Sequence, residues 1–111
     1  MKLYLAGPMT GHPDLNFPAF HEMAARLRGL GHEIINPAEI NTNPGAAWTD
    51  CMRADIAQLV TCEGVVTLPG WERSRGARIE VMLAGELGMS VLDAARLVGD
   101  VVPRAPAEVL A

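Results

Sequence analysis

Four short apolar runs, each ended or preceded by glycine or proline and separated by segments of helical periodicity, restrict this chain to an alternating α/β architecture. Lys2 to Ala6 is the first run, apolar on both faces as a buried parallel strand is, and it stops at Gly7-Pro8. His32 to Asn36, Gly64 to Leu68 and Met89 to Leu92 read as the second, third and fourth strands. Between the first two, Phe20, Met23, Ala24, Leu27 and Leu30 keep helical spacing up to Gly31, with Asn16 the expected N-cap and Pro18 in the first turn. Met52, Ile56, Leu59 and Val60 give the core stripe of a further helix, capped by Thr49 or Asp50. Ile79, Met82, Leu83, Glu86 and Leu87 define the last, capped by Ser74 and closed by Gly88. The expected domain is 1–92, and 93–111 reads as an extension, one short helix before Pro103 and Pro106 and then a tail.

Charge and length narrow the function classes. A chain of 111 residues supports one core and little more. Thirteen acids against one lysine and eight arginines give a net charge of −4, which argues against a nucleic-acid polymer as partner. A small anion remains compatible, because Arg53, Arg73, Arg75 and Arg78 gather near one loop. No run is long enough to span a membrane and no export signal is visible, so the expected setting is the cytoplasm. Cys51 and Cys62 fall in one expected helix, roughly 16 Å apart along its axis, too far to bond. The three histidines show no ligand spacing with them, so neither metal nor cofactor is expected.

The stretch from Leu68 to Glu80 leaves a strand, turns at Pro69-Gly70 and enters a helix near Ser74. Loops at the carboxyl ends of parallel strands are where such sheets bind ligands, and the amides at a helix start suit an anion. The loop from Gly7 to Pro13, with two glycines, two prolines and Thr10, has the composition that lets amides approach a ligand, and equally that of a tight turn. Residues 37–47 read as an irregular flap beside the site. Asp55 falls at the edge of its helix stripe, where base rates favour a solvated flank over a pocket wall. Glu80, just inside its helix, is either catalytic or a carboxylate kept ionised by the helix dipole.

Three segments together resemble the nucleoside 2-deoxyribosyltransferase-like superfamily, in particular a small branch of it found in phage and bacterial genomes. They are Tyr4-Leu5-Ala6-Gly7-Pro8-Met9-Thr10-Gly11, the Asp55 of Arg-Ala-Asp-Ile-Ala, and Ser74-Arg75-Gly76-Ala77-Arg78-Ile79-Glu80. The resemblance covers Lys2 to about Leu92. It implies a single-domain flavodoxin-like (Rossmann-like) parallel sheet of four to five strands flanked by helices. It also implies a glutamate nucleophile matching Glu80, an aspartate matching Asp55 that positions or protonates the base, and a tyrosine matching Tyr4 that orients the glutamate. In the nucleotide hydrolases of that superfamily, the first glycine-rich loop and a serine six residues before the glutamate receive the 5′-phosphate. The matching positions are Gly7, Met9, Thr10 and Gly11 with Ser74, and Arg75 and Gly76 adjoin them.

Pro8, Trp71 and the 37–47 loop depart from that pattern. Trp71 fits either stacking on a base or an oligomer interface. Arg75 fits either the phosphate or a pair with Glu72.

The residue types agree with the implied chemistry, since an oxocarbenium-like state is stabilised or trapped by an ionised carboxylate while a second, protonated one assists the departing base. The expected function is therefore N-glycosidic cleavage of a (deoxy)nucleoside or its 5′-monophosphate. Deoxyribosyl transfer and non-catalytic nucleotide sensing are the alternatives. The expected partners are that small molecule and a second copy of the chain, in a homodimer or higher homo-oligomer built across the Met52/Leu59 and Met82/Leu83 faces, with Trp71 and the tail as further contacts.

Overall fold

The computed structural model describes residues 1–43 and 45–99. Strand β1 (Lys2–Ala6) leads through a short 3₁₀ turn into α1 (Phe17–Gly29), then β2 (Glu33–Ile35), α2 (Pro37–Ile40) and α3 (Trp48–Leu59). Strand β3 (Gly64–Thr67), a second 3₁₀ turn at Trp71–Arg73, α4 (Arg75–Glu86), β4 (Ser90–Asp93) and α5 (Ala94–Leu97) complete the order. The remainder of the expected tail, 100–111, lies outside the described residues. No described helix is long and apolar enough to cross a membrane.

The four strands form one all-parallel sheet in the order β2-β1-β3-β4, a flavodoxin-like (Rossmann-like) arrangement. Tyr4 pairs with Ile35 on one side and Val65 on the other. Because side chains alternate along a strand, Leu3 and Leu5 face one layer while Tyr4 and Ala6 face the other. The first layer is closed by Phe20, Ala24 and Leu27 of α1, and the second by Leu59 of α3 with Ala77 and Ala84 of α4. The strand order reverses direction at β1, so a crevice opens between the carboxyl ends of β1 and β3.

Several local expectations are corrected. Asn16 does hold the N-cap position of α1, but its side chain does not cap the helix: the residue is left-handed (φ 60°), as are Asp14 and Leu15, and its Nδ2 instead donates to Pro8 O at 2.9 Å. A left-handed residue does not direct its side chain at the first helical amides, and here it ties the first loop to α1. No side chain caps α3 either; it begins at Trp48 after an extended Ala47, ahead of Thr49 and Asp50. Cys62 lies beyond the end of α3, and both cysteines are free thiols. The expected flap contains α2, which starts at Pro37 with the buried Asn36 accepting from Ala38 N at 3.0 Å. In α4 the buried face is Ala77, Glu80 and Ala84, whereas Met82 is 64% exposed and Leu87 53%. Val60, expected in the α3 stripe, is exposed as well.

Gly64 shows how tightly the sheet centre is filled. A Cβ there would stand 2.9 Å from Ser90 O and 3.1 Å from Leu3 Cδ2, so Gly64→Ala must displace backbone rather than a flexible tip. Overpacking of this kind costs about 1–3 kcal/mol, and the variant is expected to lose that much in urea denaturation. An unchanged midpoint would show that β3 and β4 have room to part.

Candidate active site

A cavity of about 600 Å³ opens over the β1/β3 crevice, within the usual range for small-molecule sites. Three elements each deliver one functional group to it. Tyr4 comes from β1, fully buried, because the register that sends Leu3 and Leu5 to the α1 layer sends it to the α3/α4 layer. Asp55 comes from α3 and Glu80 from α4, only 6% and 5% exposed. The solvated-flank expectation for Asp55 is therefore corrected: it shares the inward face of α3 with Leu59, one turn on.

The Tyr4 hydroxyl donates a short hydrogen bond to Glu80 Oε2. Asp55 Oδ1 accepts from Asn41 Nδ2 at 2.7 Å. Burial pushes Glu80 up to about 8, with the nearby Asp55 charge adding to the rise and the Tyr4 hydrogen bond opposing it. Burial also raises Asp55, to about 6, against the hydrogen bonds from Asn41 and Tyr4. Tyr4 is held well above the usual phenol range by burial and by both carboxylates. The expectation that the helix dipole keeps Glu80 ionised is thus overturned in the free protein. Glu80 is the sixth residue of α4, beyond the first turn where the dipole acts, and desolvation dominates there.

Ser74 does cap α4, its Oγ accepting from Ala77 N at 3.3 Å. With Gly7, Met9, Thr10, Arg75 and Gly76 it lines the cavity alongside the three central groups. Gly11 and Trp71 are not among the described lining residues; Trp71 packs instead against the α3/α4 layer. Arg75 does not pair with Glu72 but lies over the Trp48 ring, 4.0 Å from its centroid, while Arg78 Nη1 donates to Glu72 O at 3.0 Å. Gly76 has a packing reason of its own, since a Cβ there would come within 3.2 Å of Met52 Sδ.

Arg73, one of the arginines expected near the loop, also lines the cavity, as do Asn41, Trp48, Cys51 and Met52, which were absent from the expected set. Trp48, Cys51, Met52 and Asp55 fall at intervals of three, four and seven, so the helical period carried a legible signal for them. Asn41 had none, because its contact with Asp55 spans 14 residues across a loop. Cys51 is kept as a thiol, raised by burial and by the Asp55 and Asp50 charges. Among the described residues no three His, Cys, Asp or Glu side chains group as a metal site.

No curated protein matches the chain. Residues 1–93, from the first strand to the end of β4, match the family described as a domain of unknown function, DUF4406, and the chain belongs to that family.

Proposed function

We propose that the protein cleaves the N-glycosidic bond of a nucleoside or (deoxy)nucleoside 5′-monophosphate. The observation that carries this reading is the pair of buried carboxyl groups, Glu80 bound by the Tyr4 hydroxyl and Asp55 bound by Asn41, lining one cavity. Together with the resemblance of the three segments to the nucleoside 2-deoxyribosyltransferase-like superfamily, it favours two-carboxylate chemistry.

In the proposed reaction a Glu80 carboxylate oxygen bonds to C1′ as the C1′–N bond breaks. The bonding electron pair leaves with the base, which takes a proton from Asp55. Water then cleaves the glycosyl ester; a second base in its place gives transfer. Glu80 must be ionised and Asp55 protonated, the reverse of what their values of about 8 and 6 favour. The productive arrangement is therefore the less favoured place for the shared proton before substrate binds. Positive charge developing at C1′ beside Glu80 shifts that balance in the productive direction.

The anionic end of the substrate is assigned to Ser74, Arg73, Arg75 and the first loop. Neither guanidinium forms an ion pair among the described residues, and the Ser74 hydroxyl, which accepts from Ala77 N, retains its proton to donate. Monophosphates are therefore expected to bind more tightly than nucleosides. Ser74→Ala is expected to remove about 1.5–3 kcal/mol of that advantage in calorimetry. Equal affinity for the two would move the reading toward a nucleoside transferase.

The expected homo-oligomer belongs to the same reading, but of its two expected faces the Met52/Leu59 one is corrected, since Leu59 is buried in the core and Met52 lines the cavity, and in the Met82/Leu83 face only Met82 stands exposed while Leu83 packs on the core. Chromatographic detection of free base from a panel of nucleosides and 5′-monophosphates tests the function directly. Tight binding without release would leave a nucleotide-sensing module.

A further inference from the structure

Asn41 is the C-terminal cap of α2, its backbone N–H bonded to Pro37 O at 2.9 Å. The short helix that carries it is fastened at two other points. Asn36, 1% exposed, caps its start, and Glu39 pairs with Arg28 of α1 at 2.6 Å. Arg28 in turn donates to Ile34 O of β2 at 2.9 Å. The Asn41 amide is thus presented to Asp55 from a braced support rather than from a free loop.

An amide N–H only donates, so the carboxyl oxygen it meets must accept. With Asn41 Nδ2 at 2.7 Å from Oδ1, a proton on that oxygen would set two donors against each other. Because an O–H oxygen accepts more weakly than a carbonyl oxygen, a proton on Asp55 is favoured on Oδ2. The ionisable groups around Asp55 are Tyr4 from β1, Glu80 from α4 and Cys51 one turn earlier on α3. The Tyr4 hydroxyl also lowers Asp55, but the hydrogen bond it donates in this geometry goes to Glu80 Oε2, whereas the Asn41 N–H is directed at Asp55 Oδ1.

We propose that Asn41 is a positioning residue that orients the Asp55 carboxyl, places its proton on Oδ2 and thereby puts the acid of the site under the control of the α2 segment. The catalytic consequence rests on the proposed N-glycosidase reading. The grip of Asn41 on Asp55 does not, and it is measurable in the protein alone. The hydrogen bond favours the ionised carboxylate and opposes the desolvation that raises Asp55. Removing the amide therefore raises the midpoint, and replacing it with a carboxylate raises it further.

The experiment is a carbon-13 NMR titration of the Asp55 side-chain carboxyl in the full chain, wild type against Asn41→Leu and Asn41→Asp. The midpoint is expected near pH 6 in the wild type, about one pH unit higher with Leu, and higher again with Asp. Three coincident midpoints would overturn the proposal, as would a downward move with Leu. If the ordered rise is seen but no nucleoside or monophosphate is ever cleaved, the proposed function fails while the assignment of Asn41 stands. If base release is found, the acid limb of its pH profile is expected to move with the midpoint, which a purely structural role for Asn41 would not produce.

Discussion

Glu80→Gln is expected to abolish base release, by a factor of at least about 10³, while making the folded protein more stable at alkaline pH. The amide matches the carboxyl in size and still accepts from the Tyr4 hydroxyl, but it has no anionic oxygen to bond to C1′. The stability effect follows from burial. In the unfolded chain the Glu80 carboxyl ionises near 4.5, and in the folded protein only near 8. A raised value means that the folded state holds the proton more tightly, so this stabilisation is fully present below pH 4.5 and is lost as pH rises through 8. At about 1.4 kcal/mol per pH unit the loss is on the order of 5 kcal/mol, a large fraction of what a domain of this size has. Gln carries no such titration. Denaturation of wild type and variant should therefore give similar stabilities near pH 4 and diverge by several kcal/mol by pH 9, with the variant the more stable. Parallel curves would mean that Glu80 ionises as an ordinary surface carboxylate, and retained turnover would remove it from the mechanism.

Asp55→Asn is expected to slow base release by about 10² to 10⁴, most for bases that leave poorly, since what is lost is proton delivery to the departing nitrogen. With Asn41 facing it, the new amide also has to turn its own oxygen toward the Asn41 N–H, leaving only its NH₂ group toward the position of Oδ2. An amide donates a hydrogen bond but does not give up its proton. The substitution removes a charge that raises Glu80, so the Glu80 value should fall from about 8. The wild-type profile is expected to be a bell with limbs near 6 and 8, the range over which the pair holds one proton. In the variant the alkaline limb should move to lower pH. Equal slowing for good and poor leaving groups, with that limb unmoved, would reduce Asp55 to a substrate-positioning role.

The α/β order, the parallel sheet and the identity of Tyr4, Asp55 and Glu80 as candidates were all legible in the amino-acid sequence. Strand and helix periods are local properties, and Gly31 and Gly88, both with positive φ, mark helix ends by a constraint of their own backbone. What was not legible depended on which face a helix turns inward. In α4 the expected stripe of Ile79, Met82, Leu83, Glu86 and Leu87 is only partly turned inward: Leu83 packs against the core, Met82 and Leu87 are exposed, and the fully buried line is Ala77, Glu80 and Ala84, whose small members let α4 approach the sheet. Hydrophobic periodicity alone points part of a turn away from the buried line, and that rotation is what buries Glu80 and raises it.

Contacts between distant parts of the chain decided the rest. Tyr4 and Glu80 are 76 residues apart, Asn41 and Asp55 14, and no local pattern encodes either pairing. The placement of Trp48 in the cavity depends on how closely α3 approaches α4 at Gly76, a contact between separate helices. Local sequence determined which elements form and which residue types were available for chemistry. Only the tertiary structure decided the protonation of those groups, because desolvation is a property of the assembled layers and not of any single segment.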